Sequence, residues 1–137
     1  MNRKAIQQTL TSALSDWAKA EGIPLVVPNL DYEPIVGQAY VRQWFIDAAS
    51  TDTVLAEGFE NHKGIMQVDF NVPYGQGEGL LLQLYDKFKL IFKTKGKIRT
   101  KYGMVQLHKV YMSGYKAETP WYTKYVTVEY SAFSDNE

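Results

Sequence analysis

The chain has 137 residues, 15 Lys and Arg against 15 Asp and Glu, and a formal net charge of zero, a balance that argues against a dedicated nucleic-acid binder with its basic excess. The length suits one domain over 1–137, since about 150 residues bury roughly 68–70% of their unfolded surface, and 45% hydrophobic residues exclude disorder throughout. The absence of cysteine excludes disulfide scaffolds, Cys-based zinc fingers, iron–sulfur clusters and thiol nucleophiles.

The first residues, Met1 to Gln8, are basic but lack the apolar stretch of a secretory signal. Ile6, Leu10, Ala13, Leu14 and Trp17 recur at helical spacing and predict an amphipathic helix over Met1–Gly22, ended by Gly22 and Pro24. Leu25-Val26-Val27 is a short predicted strand, and Asp31–Gln38, with Pro34 and Gly37, a connecting loop. Ala39–Ala48 alternates as a strand, with Tyr40, Arg42, Trp44 and Ile46 on one face and Val41, Gln43, Phe45 and Asp47 on the other. Aromatics on both faces predict a strand covered from two sides.

Ala49–Asn61 has no clear period and carries Asp52, Glu57 and Glu60 with no Lys or Arg. The strand Lys63–Val72 follows, making a hairpin with Ala39–Ala48 whose connection is longer than the usual ~2–5 residues. Pro73–Gly77 breaks this strand, and a second helix begins near Glu78. Leu81, Leu84, Tyr85, Phe88 and Phe92 form its stripe, Leu80, Leu82 and Ile91 widen it, and Gly96 ends it. Lys97–Thr100, Met104–Met112 and Tyr122–Phe133 are further strands, with Ser113-Gly114 read as a turn. The order helix–strands–helix–strands predicts an α+β domain: a mixed or antiparallel sheet with two main helices packed against it. No stretch reaches the ~18 apolar residues of a membrane helix.

Candidate chemistry is sparse. Gly75-Gln76-Gly77-Glu78-Gly79 offers glycines at a strand-to-helix turn, where backbone N–H groups can cradle a phosphate. Leu80 stands where the dinucleotide fingerprint requires glycine, no Lys-Ser/Thr follows, and Glu78 puts a negative charge at the anion position. A plain turn is the better reading. His62 and His108 have no metal-ligand spacing, and no G-x-S-x-G nucleophile elbow occurs. The carboxylate pairs Asp31/Glu33 and Glu57/Glu60 lie in loops without an apolar pocket to raise a pKa. No catalytic residue, cofactor site or metal site is assigned, and nothing in these residues compels an enzyme.

The basic run is sharper: Lys87, Lys89, Lys93, Lys95, Lys97, Arg99 and Lys101, opposed within it only by Asp86. One reading is a solvated face that complements the helix dipole. The other is a patch matching the acidic Ala49–Asn61 segment of a neighbouring subunit, since a head-to-tail ring requires two different complementary patches.

Several stretches then resemble one family, the tail terminators of long-tailed bacteriophages. They are Val27-Pro28-Asn29, Ala39-Tyr40-Val41-Arg42, His62–Pro73 (HKGIMQVDFNVP), Gly75-Gln76-Gly77 and Trp121–Tyr130 (WYTKYVTVEY). The resemblance runs from the first helix to the final aromatic strand. It implies a structural α+β protein of the virion tail, not an enzyme, made in the bacterial host cytoplasm and placed at the head-proximal end. It further implies a homo-oligomer, a hexameric ring that caps the tail tube, ends tube polymerisation and offers the surface joined to the head. The implied partners are the tail tube protein and a head-completion or connector protein, with DNA passing transiently through the lumen and no membrane. On that reading Asp52, Glu57 and Glu60 are candidates for a subunit-interface or partner loop. Lys93, Lys95, Lys97, Arg99 and Lys101 are candidates for the lumen or a complementary basic patch. Another head–tail connector or neck protein, or a small anion-binding module, are the alternatives.

Overall fold

The computed structural model describes residues 3–47, 61–100 and 103–134. Helix α1 (Arg3–Glu21) buries Ile6, Leu10, Ala13, Leu14, Trp17 and Ala18. Gly22, at φ +70°, closes it by a Schellman motif: Ile23 N–H donates to Ala18 O at 3.0 Å and Gly22 N–H to Lys19 O at 3.2 Å. The strands are β1 (Leu25–Val26), β2 (Tyr40–Asp47), β3 (Asn61–Pro73), β4 (Lys97–Thr100), β5 (Gly103–Glu118) and β6 (Trp121–Ser134), and helix α2 (Gly79–Lys95) lies between β3 and β4. They form one six-stranded sheet in the order β1-β2-β3-β6-β5-β4, in which β1 pairs parallel with β2 and every other pair is antiparallel. The fold is α+β.

Both helices cover one face of the sheet. Val41, Gln43, Met66, Val68, Phe70, Val72, Val126, Val128 and Ala132 meet them there, all buried, as two-residue alternation requires. Trp17 joins the layers: its ring centroid lies 5.4 Å from Phe70 and 5.3 Å, edge-on, from Phe88, which stacks on Phe92 at 4.4 Å. Gln43 is polar yet fully buried, and is held by Thr11, which donates to its Oε1 at 3.0 Å, and by Met66 Sδ at 3.2 Å from its Nε2. Burial without those partners would cost a few kcal/mol.

Two expectations change. The α2 stripe Leu81, Leu84, Tyr85, Phe88 and Phe92 is buried as expected, but Leu80 and Leu82 are exposed and only Ile91 widens the face. A single stripe spans the sheet, so its flanks point past it. Ser113-Gly114 is no turn, because β5 continues to Glu118 and pairs with β6 on both sides of the glycine. Gly114, at φ +63°, is the extra residue of a β-bulge, and a second register shift falls between Leu107 and Lys109. Among the described residues, helices cover one face of β2. On the other, Tyr40 is enclosed by Tyr32 and Trp121, while Trp44 and Ile46 remain exposed.

Candidate functional site

The basic run picked out in the sequence divides between two elements. Lys93 is exposed in the last turn of α2, which Lys95 ends, beside a cleft of about 280 Å³ also lined by Lys89, His108 and Lys109. Lys97 and Arg99 are exposed on β4, alternating with Ile98, which packs on the core. The run is thus cut at Gly96, where the side-chain period changes from 3.6 to 2. Lys87 faces elsewhere, 3.2 Å from Glu21. Asp52, Glu57, Glu60 and Lys101 lie outside the described residues.

The glycine turn carries its own anion. Gly75 and Gly77 adopt φ of +87° and +74°, and Glu78 precedes the first turn of α2. Its carboxylate accepts hydrogen bonds from the Tyr122 hydroxyl and from Lys124 Nζ at 2.9 Å. The Tyr122 bond, then Lys124, holds the Glu78 carboxyl below the usual carboxylate range, and the same bond pushes the Tyr122 hydroxyl up to about 12. A phosphate arriving at this helix end would meet a fixed carboxylate, which removes the anion-site reading of the turn.

His108 Nε2 stands 2.5 Å from Ser131 Oγ, but Ser131 is buried in the sheet. Among the described residues no carboxylate bonds to this imidazole and no cluster of three or more metal-ligating side chains occurs. Asp31 and Glu33 are exposed in the loop between β1 and β2. No described helix is long and apolar enough to cross a membrane.

The surface away from the helices holds a network that sequence reading missed. Asp69 accepts from the Trp44 indole N–H and from the Gln67 amide, each at 2.8 Å, while the Arg42 guanidinium lies 5.9 Å from the Trp44 ring centroid. Asn71 accepts from Thr123 at 2.5 Å and donates to Tyr40 O. Alternation placed Arg42 and Trp44 on one face. Bringing them to Asp69 required the β2–β3 register, with Arg42 opposite Asp69 and Trp44 opposite Gln67.

Two helices lie on one face of a mixed sheet, and among the described residues no group of three or more metal-ligating side chains is assembled. The family described as phage tail terminator protein matches residues 5–130, and the chain belongs to that family. One solved structure superposes with a TM-score of 0.81 at 21% identity, covering 100% of this chain and 99% of the other, which establishes the shared fold. No curated protein matches the chain. As a member of this structural family it is a component of the bacteriophage tail that contacts tail and head components in the virion.

Proposed function

We propose that the protein assembles as a hexameric ring on the head-proximal end of the tail tube, where it stops tube polymerisation and presents the surface to which the head is joined. The observation that carries this reading is the family match across nearly the whole chain, residues 5–130. The tail tube protein binds one side of the ring and a head-completion or connector protein the other. Synthesis takes place in the host cytoplasm. Within the ring, the Asp52, Glu57 and Glu60 segment serves as a subunit-interface or partner loop. The basic residues Lys93, Lys95, Lys97, Arg99 and Lys101 are divided at Gly96 between α2 and the chain from β4 onward. They serve separately as a complementary patch for that segment or as lining of the lumen through which DNA passes. Mixed charge distributed in this way favours one docking register over others.

Tube subunits polymerised with and without the protein, and measured by negative-stain imaging, test the reading. Capped tubes of uniform length with a terminal ring are expected when it is present. Tubes of unchanged, broad length distribution at a molar excess of the protein would refute it.

A further inference from the structure

We infer that the outer edge of β2, residues Gln43–Asp47, is a strand-addition site that receives β4 of a second copy of this chain. The inference rests on the ring reading and names its seam.

The eight residues of β2 all pair with β3, but β1 pairs only Val41 and Arg42 before Pro28 and the left-handed Asn29 (φ +61°) turn the chain away. Beyond Arg42, no described strand pairs with the outer side of β2. Val41 N–H donates outward to Pro24 O at 3.0 Å. Alternation along an antiparallel strand then turns the N–H groups of Phe45 and Asp47 to the same outer side. An exposed strand edge of this kind is a template for another strand, and native proteins blunt such edges with lysine, proline or a bulge. Here the edge reads Gln-Trp-Phe-Ile-Asp, with no lysine, proline or bulge and a single charge, Asp47, at its end.

Its side chains have the pattern of a strand inside a sheet. Trp44 is 43% and Ile46 49% exposed on the open face. Phe45, on the helix side, is half-buried and lines a groove of about 760 Å³ with Gln7, Thr11 and Ser15 of α1 and with Val27. An added strand would cover Trp44 and Ile46 with one set of alternate side chains and fill the groove over Phe45 with the other.

The far side of the same sheet supplies the occupant. Leu107 N–H donates to Gly96 O at 2.7 Å, and Lys97 and Arg99 lie opposite Gln106 and Met104. Gly96 and Ile98 therefore bond inward, and Lys97 and Arg99 present their backbone amides outward. Successive antiparallel pairings make β4 run in the same direction as β2, the direction in which β1 already occupies this track. Two different edges on opposite sides of one sheet make a heterologous contact, the kind that closes into rings. Charge agrees: β4 brings Lys97 and Arg99, while β2 leads into Ala49–Asn61 with its three carboxylates and no cation.

The seating is geometrically reasonable. Lys97 stands level with Lys63, one step beyond the Asp47–Gly64 pair. Placing Lys97 beside Trp44 and Arg99 beside Ile46 shifts one subunit by four residues, about 13 Å at ~3.3 Å per residue. With five strands per repeat at ~4.8 Å spacing, that offset inclines the strands by roughly 30°, and a sheet that closes on itself requires such a stagger.

Proline at position 45 or 99 removes one outward N–H and leaves the internal ladder in place. Wild type, Phe45→Pro, Arg99→Pro and the control Phe45→Val are compared by sedimentation and negative-stain imaging, with and without tail-tube subunits, after circular dichroism establishes folding. Wild type and Phe45→Val should form rings on the tube, with at least tenfold fewer for each proline variant. Because the chain lacks cysteine, Ile46→Cys with Arg99→Cys gives a readout that needs no proline: oxidation should produce a ladder of covalent oligomers, and neither single variant should extend past a dimer. Rings of normal abundance from both proline variants, or no ladder from wild-type-like rings of the double cysteine variant, would overturn the seam alone. Wild type that forms no ring under any condition overturns both the seam and the ring reading.

Discussion

Gly64→Ala isolates one steric relation at the centre of the sheet. Gly64 lies directly opposite Tyr130 in the β3–β6 ladder, and the tyrosine ring occupies the space over the glycine. A Cβ added there would stand 2.5 Å from the Tyr130 hydroxyl oxygen, 2.7 Å from Cζ and 3.2 Å from Cε2, where carbon contacts are comfortable only at about 3.5–4.0 Å. Tyr130 is buried, so its ring cannot swing into solvent. Overpacking of this kind costs about 1–3 kcal/mol, and removing a strand glycine's excess unfolded-state freedom returns about 0.5–1 kcal/mol. The expected net loss is about 0–2.5 kcal/mol, read as a lower urea midpoint with unchanged slope. In a Tyr130→Leu background the clashing atoms are gone, and the same substitution should be neutral or slightly stabilising. An equal cost in both backgrounds, or a gain with Tyr130 present, would refute the steric argument.

Other substitutions probe separate links. Phe88→Ala empties the aromatic contact between α2 and Trp17 and should cost about 3–5 kcal/mol by calorimetry or denaturation, a loss that Phe88→Leu should largely spare. Gly114→Val forces a β-branched residue to φ +63° in the β5 bulge and should cost about 1–2 kcal/mol, with Gly114→Asn milder; equal stability of the two would show that the bulge relaxes. Because the folded Glu78 carboxyl titrates below its ordinary value, its contribution is present above about pH 4.3 and disappears as pH falls through the lowered folded pKa. The raised Tyr122 hydroxyl contributes below about pH 10 and that contribution disappears as pH rises through about 12. Glu78→Gln should flatten the acid limb of the stability profile, and Tyr122→Phe the alkaline one.

Both helices and most strands were legible because their signals are local. Trp17 and Phe88 fall on stripes that their own neighbours define, and β6 shows its alternation within one run. The features that sequence reading missed depend on register between distant segments. Glu78 meets Tyr122 and Lys124 only because β6 lies next to β3, and Asp69 meets Trp44 only through the β2–β3 ladder. Gly114 misled for a different reason: a left-handed glycine serves a turn and a bulge equally, and pairing with β6 decides between them. The basic run looked continuous because charge was counted along the chain. The change from helix to strand at Gly96 then sent Lys93 and Lys97 to different surfaces.

The energetics of the inferred seam bear on when a ring would form. Four residues of parallel pairing supply a few hydrogen bonds, each contributing about 0.5–1.5 kcal/mol net. Covering the exposed parts of Trp44 and Ile46 adds about 25 cal/mol per Å² removed from water. Association costs about 4–15 kcal/mol in lost translation and rotation, so a single seam of this size is close to break-even. Closing a ring adds a last seam without a further association step, and a tube end that binds several subunits raises their local concentration. The protein alone should therefore be monomeric at micromolar concentration and form rings on the tube. A ring already stable at nanomolar concentration without the tube would show that the seam is larger than β2 and β4 can supply. The order of events then follows from the weakness of the contact: a cap that cannot close before the tube exists cannot block the tube from growing.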